Sequence, residues 1–180
     1  MEAKILINHR QTELIIRRFV LQLIEHHGNL ENCAIIGLQP RGVELSRNLF
    51  RKLNELKPGH AARYGELDNT FFRDDIRRGE IHMPRPSKID FSTESLNIIL
   101  VDDVLFTGRS IRAGIDALIN FGRPARVELM VLVDRRYNRE LPISADYSGV
   151  VVDSRSTGEH VKVEWNTNQN QTWLLPNKEK

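Results

Sequence analysis

An α/β fold with a mostly parallel central sheet flanked by helices is predicted by two features of this sequence. Apolar runs of strand length alternate with amphipathic stretches of helical period, and Gly- or Pro-containing turns punctuate the alternation. Residues 12–27 carry Ile15, Phe19, Val20, Leu23 and Ile24 at helical spacing, with Gly28 where a helix can end. Cys33-Ala34-Ile35-Ile36 reads as a buried strand. After the turn Gln39-Pro40-Arg41-Gly42, a second helix presents Leu45, Leu49, Leu53 and Leu56 and stops at Lys57-Pro58-Gly59. Residues 61–72 offer another strand. Residues 73–88, polar and holding Pro84 and Pro86, have no sustained period and read as an exposed, mobile loop. A strongly apolar strand over residues 97–101 leads through an acidic, Gly-containing turn into a helix on which Ile111, Ile115, Leu118 and Ile119 share a face, closed by Gly122 and Pro124. Residues 127–133 form a further strand that runs into the polar stretch Asp134-Arg135-Arg136-Tyr137-Asn138-Arg139-Glu140, and residues 149–152 and 161–165 read as two late short strands.

The 180 residues, 40% hydrophobic, suffice for one α/β domain, expected over residues 1–165. The tail 166–180, rich in Asn and Gln, is expected to be partly disordered unless Trp173 and Leu174-Leu175 dock it. A charged fraction of 28% and the absence of low-complexity tracts exclude wholesale disorder. The net charge of +2 does not by itself imply a nucleic-acid partner, although Arg and Lys are locally dense at Arg17-Arg18, at Arg51-Lys52 and over residues 73–88. The single cysteine, Cys33, fits a reducing compartment and reads as core. The N-terminus lacks a signal-peptide pattern and no stretch approaches the ~20 apolar residues of a membrane span, so a cytoplasmic protein without a membrane partner is expected. The six histidines show no zinc-ligand spacing.

In a parallel sheet, ligands bind beyond the carboxyl ends of strands, where Asp102 and Asp103 fall. The following turn, Val104, Leu105, Phe106, Thr107, Gly108, Arg109 and Ser110, opens a helix. Its free N–H groups and positive dipole end suit a phosphate, with hydroxyl donors from Thr107 and Ser110 and close approach permitted by Gly108. Two carboxylates beside an anion site repel a bare phosphate. A ribose 5-phosphate resolves the conflict: its hydroxyls donate to the acids, its phosphate enters the loop, and Mg²⁺ can bridge sugar hydroxyls to a pyrophosphate. Each residue alone has a plainer reading as a strand end or helix cap; together they point to a ligand. The run is neither a Walker A loop nor a Gly-x-Gly-x-x-Gly turn.

Ile98-Ile99-Leu100-Val101-Asp102-Asp103-Val104-Leu105-Phe106-Thr107-Gly108-Arg109-Ser110 resembles the phosphoribosyl pyrophosphate (PRPP) motif of type I phosphoribosyltransferases. More narrowly, it is similar to the PyrR family of pyrimidine-operon regulators with uracil phosphoribosyltransferase activity. The similarity extends through Gly37-Leu38-Gln39-Pro40-Arg41-Gly42, Phe72-Arg73-Asp74-Asp75, Arg139-Glu140-Leu141-Pro142-Ile143 and Ala145-Asp146-Tyr147, covering most of the chain except its tail. The resemblance implies the type I phosphoribosyltransferase fold with a small hood and a flexible loop. It implies a Mg²⁺-dependent reaction of uracil with PRPP to give UMP and pyrophosphate, in a homodimer or higher oligomer. Asp102 and Asp103 would hold the ribose, Pro40, Arg41 and Gly42 would receive pyrophosphate, and Arg73 would neutralise charge on that leaving group. Asp134, Arg135 and Val161 would wall the base pocket. Mg²⁺ would arrive with PRPP, with no direct protein ligand assigned. A second implied activity, or an alternative with little catalysis, is binding of pyrimidine-operon mRNA with UMP or PRPP as effector, for which Arg17, Arg18, Arg136 and Arg139 are the candidate phosphate contacts. Another nucleobase, hypoxanthine or guanine, is the alternative substrate, because the PRPP motif does not read the base. The sequence departs from the family pattern at three places: Pro40 stands where Thr is expected, removing an N–H and a hydroxyl; the loop 135–139 is one residue longer and lacks a Gly; and Leu21 stands where RNA-binding members carry His.

Overall fold

The computed structural model describes residues 3–74, 83–153, 159–166 and 169–176. In chain order its elements are β1 (Lys4–Ile7), α1 (His9–His27), β2 (Cys33–Leu38), α2 (Gly42–Leu56), β3 (Arg63–Leu67), β4 (Asn97–Leu105), α3 (Arg109–Leu118), β5 (Arg126–Arg135), β6 (Tyr147–Val152), β7 (Glu159–Glu164) and β8 (Gln171–Pro176). Strands β3-β2-β4-β5-β6 form a five-stranded sheet in that order, every neighbouring pair parallel. Its strands are apolar on both faces because both are covered. Ile35, Ile99, Val101, Met130 and Leu132 pack with Ile16, Phe19 and Leu23 of α1 and Leu45 and Leu49 of α2. The alternate residues Ala34, Ile36, Ile98, Leu100, Leu129 and Val131 pack with Ile111, Ala117 and Leu118 of α3. The period-two alternation of the strands thus sorts the core into two layers, as the sequence predicts.

Helix α1 starts three residues before the predicted stretch 12–27. Asn8 caps it: the Gln11 N–H donates to Asn8 Oδ1 at 3.0 Å, and the Asn8 N–H donates to Gln11 Oε1 at 2.9 Å. The larger departure is at the chain ends. Strands β1, β8 and β7 form a separate antiparallel sheet, with Leu174 opposite both Lys4 and Val161, and Trp173 opposite both Ile5 and Lys162. The tail expected to fray from residue 166 therefore contributes the central strand of this hood over Gln171–Pro176. One of its partners lies at the opposite end of the chain, and local composition carries no sign of such a pairing.

Two further boundaries shift. β4 continues past Val101 through both acids to Leu105, and β5 continues through Asp134 and Arg135, so these residues stand on strands rather than in the turns after them. Of the loop 73–88, residues 75–82, on which its expected mobility rests, lie outside the described residues; at its end Lys88 bridges to Glu66 of β3. No helix among the described residues is long and apolar enough to cross a membrane.

Candidate functional site

The carboxyl ends of β2, β4 and β5 lie side by side, and each delivers part of one site. On β4, Asp102 sits opposite Val131 of β5. Asp102 and Asp103 are only 8% and 5% exposed, and Asp102 Oδ1 accepts the Asp103 N–H at 2.9 Å. Burial, reinforced by the adjacent Asp103 charge, holds Asp102 well above the ordinary carboxylate range. Burial raises Asp103 as well, while the positive charge of Arg41 opposes the rise at both residues. A pair in this condition gains from anything that brings hydroxyl donors or a cation.

Arg41 is placed there by Gly42. A Cβ on Gly42 would come within 2.3 Å of the Val101 carbonyl oxygen and 2.9 Å of Asp102 Cα, so only glycine lets the start of α2 lie against the end of β4. The preceding residue pair is anchored from outside. The Gln39 N–H donates to the Leu67 carbonyl at 2.9 Å, and Gln39 Nε2 donates to the Pro86 carbonyl at 3.1 Å. Pro40 is exposed and has no N–H to offer an anion.

On the other side of the acids, the chain turns at Gly108, whose φ of +92° is left-handed, and enters α3. Thr107 Oγ1 accepts the Arg109 N–H at 3.3 Å, and the Thr107 carbonyl accepts the N–H groups of Glu140 and Leu141 at 3.0 and 3.2 Å. Residues 104–111 and Arg73 enclose a cavity of about 130 Å³. Arg73 Nη1 donates to Ser110 Oγ at 3.2 Å, so the structure brings Arg73 to this phosphate-type loop. Arg109 is turned outward, its guanidinium between Asp74 at 2.7 Å and Glu140 at 2.6 Å.

The third wall comes from β5. Arg135 is 3% exposed, its guanidinium stacks on the Phe106 ring at 4.2 Å, and its Nε and Nη2 have no hydrogen-bond partner among the described residues. Burial lowers its pKa, partly countered by Glu159 of β7. Val161, also on β7, is buried in the layer beneath. Asp134 is ion-paired with Arg139 Nη2. Arg139 also donates to the carbonyls of Leu105, Phe106, Arg135 and Ile143, clamping the end of β4 to the segment after β5. It is a bracket of the site, not an outward-facing phosphate contact. Arg18 is similarly engaged, donating to the Ser148 and Gly149 carbonyls at 2.8 Å, whereas Arg17 is exposed and Arg136 is exposed with Asp153 at 4.0 Å.

Three parts of this arrangement escape sequence reasoning. Asn69, buried after β3, donates from Nδ2 to the Ser110 carbonyl at 2.8 Å; the side chain of Phe106 carries the Arg135 stack; and Arg139 is the bracket. Only charge marked Arg139, and nothing local marks Asn69. Among the described residues no cluster of three or more His, Cys, Asp or Glu forms an all-protein metal cage. Two carboxylates beside a phosphate loop instead fit a hard cation shared with a ligand's own oxygens.

Residues 2–168 match the model of the phosphoribosyl transferase domain family. A protein named bifunctional protein PyrR from Desulfosudis oleivorans is 48% identical over 139 residues, covering 77% of this chain and 76% of the relative. One of the same name from Actinobacillus pleuropneumoniae is 40% identical over 176 residues, covering 96% of each. Among solved structures, hypoxanthine phosphoribosyltransferases share the fold: that of Trypanosoma cruzi gives a TM-score of 0.67 at 18% identity, covering 84% of this chain and 78% of the other, and that of Staphylococcus aureus 0.65 at 16%, covering 85% and 80%.

The raised pKa of Asp102 makes a stability prediction. Its folded value exceeds its unfolded one, so ionisation weakens the fold as pH rises from the unfolded carboxylate range through the folded value. Asp102→Asn removes that charge and keeps an acceptor for the Asp103 N–H. Thermal melts should show a Tm gain of a few degrees at neutral pH, at roughly 2–4 °C per kcal/mol for a chain of this size. The gain should shrink as pH falls toward the unfolded carboxylate pKa of about 3.9 and vanish below about pH 3, where the acid is protonated in both states. A lower Tm for the variant at neutral pH contradicts the assignment.

Proposed function

Because this chain belongs to the phosphoribosyltransferase family, and within it to the PyrR family, we propose that it transfers the 5-phosphoribosyl group of PRPP to uracil, giving UMP and pyrophosphate. The observation that carries this reading is the buried Asp102-Asp103 pair set directly before an anion-binding turn on one strand end. In the reaction the bond from the anomeric carbon to the pyrophosphate oxygen breaks and a bond to the uracil ring nitrogen forms, with inversion and an oxocarbenium-like transition state. No covalent nucleophile is needed. The ionised acids accept hydrogen bonds from the ribose hydroxyls, and the turn Thr107-Gly108-Arg109-Ser110 seats the 5-phosphate. The start of α2 receives the pyrophosphate with Arg41 as its charged donor, one N–H poorer for Pro40.

Arg135 Nε and Nη2, with no acceptor among the described residues, suit the carbonyl oxygens of a pyrimidine base beside Val161. Mg²⁺ entering with PRPP would be held by substrate oxygens with Asp102 and Asp103 nearby, and would supply charge neutralisation at the leaving group. Uracil, hypoxanthine and guanine are the panel that tests this, with pyrophosphate release in the presence of PRPP and Mg²⁺ as the readout. Uracil should support turnover, and Asp103→Asn should lower it by roughly a hundredfold or more. Turnover with the purines alone would overturn the base assignment, and an unaffected Asp103→Asn would displace the site.

A second activity is favoured by the name of the relatives, which calls them bifunctional. The reading is that the chain also binds pyrimidine-operon mRNA, with UMP as effector. Of the four arginines considered for it, Arg17 and Arg136 remain exposed, while Arg18 and Arg139 are occupied within the fold; Leu21, half exposed on α1, adds no polar contact. A small phosphate-contact number predicts a shallow fall of affinity for the operon leader RNA with salt, log-log slope about −1 to −2 for two contacts, and tighter binding with UMP. No binding at low salt would remove the regulatory role and leave the enzyme.

A further inference from the structure

We propose that Arg73 is a ligand of the 5-phosphate, completing the cradle of residues 104–110, and does not act on the departing pyrophosphate. The inference deepens the proposed function and rests on it.

Charge is the first argument. The cradle itself offers backbone N–H groups at the start of α3 and the hydroxyls of Thr107 and Ser110, all neutral. A phosphomonoester brings roughly 1.5 to 2 negative charges at neutral pH. Two cations, Arg73 and Arg109, line the cavity. Arg109 directs its guanidinium to Asp74 and Glu140, at 2.7 and 2.6 Å. Arg73 places Nη1 3.2 Å from Ser110 Oγ, on the wall where the phosphate oxygens would lie.

Position is the second. The segment carrying Arg73 is stapled to the first turn of α3 on both sides of that residue. Asn69 Nδ2 donates to the Ser110 carbonyl at 2.8 Å, Arg112 Nη2 donates to the Phe72 carbonyl at 3.2 Å, and Asp74 meets Arg109. The place of Arg73 is therefore set by the same helix that forms the cradle. A residue bound to the 5-phosphate serves substrate and product alike, because PRPP and UMP both carry that group. A residue serving the leaving group contacts only PRPP and pyrophosphate.

Calorimetric titration of the full chain with UMP, ribose 5-phosphate and magnesium pyrophosphate separates the two roles. Arg73→Ala should weaken UMP and ribose 5-phosphate by about tenfold to a hundredfold, the scale of one charge-assisted hydrogen bond, and leave pyrophosphate unchanged. Arg73→Gln keeps a donor for Ser110 Oγ without the charge and should behave like Arg73→Ala, while Arg73→Lys should recover part of the loss. Loss confined to pyrophosphate, equal losses for all three ligands, unchanged affinities, or full recovery in Arg73→Gln would each overturn the proposal. A wild-type chain that binds neither UMP nor ribose 5-phosphate would overturn the functional reading beneath it, an outcome distinct from any of these.

Discussion

Two carboxylates on consecutive residues of a buried strand create a charge that the surrounding fold is arranged to meet. Neither Asp102 nor Asp103 has a cation in hydrogen-bonded contact among the described residues, and both are held above their usual range by burial. Burying ionisable groups is costly even where they share hydrogen bonds, so the pair marks a place where the fold gives up stability. Around it stand the starts of two helices, α2 and α3, whose free N–H groups carry partial positive charge. The acids therefore sit between two anion-receptive helix starts.

This arrangement follows from the topology of the sheet. In a parallel sheet every strand ends on the same side, so the loops after β2, β4 and β5 meet without long detours. Gly42 closes the distance between α2 and β4, Arg139 ties β4 to the chain after β5, and Asn69 ties the chain after β3 to α3. Rigid contacts of this kind fix the strand ends and their loops relative to one another, and placement is most of what a reaction without a covalent nucleophile would ask of its enzyme.

Legibility divides along sequence separation. The parallel sheet and its two apolar layers could be read because the period-two and helical patterns are local, and the nearness of Asp102-Asp103 to the turn Thr107 to Ser110 could be read because they lie on one continuous run. What the sequence did not reveal is built from distant residues. The Arg135 stack on Phe106, the Asn69 contact to Ser110 and the pairing of β8 with β1 each join segments with no shared local pattern. Arg139 shows the hazard of reading charge alone: a basic residue in a polar stretch suggests an outward phosphate contact, yet its guanidinium is consumed by four carbonyls and Asp134. The Asn8 cap is local, but it lies ahead of the apolar period that marks the helix.

Burial holds both aspartates above the ordinary carboxylate range, and a ligand that brings hydroxyl donors and a cation should draw them back down. Counting protons on PRPP binding, by calorimetric titration in buffers of different ionisation heat, tests it directly. Hydrogen bonds from the ribose hydroxyls and the cation that accompanies PRPP should lower the raised pKa values, so the wild-type chain should release more protons per PRPP bound than Asp102→Asn under the same conditions. Equal proton release by the two chains would contradict the account.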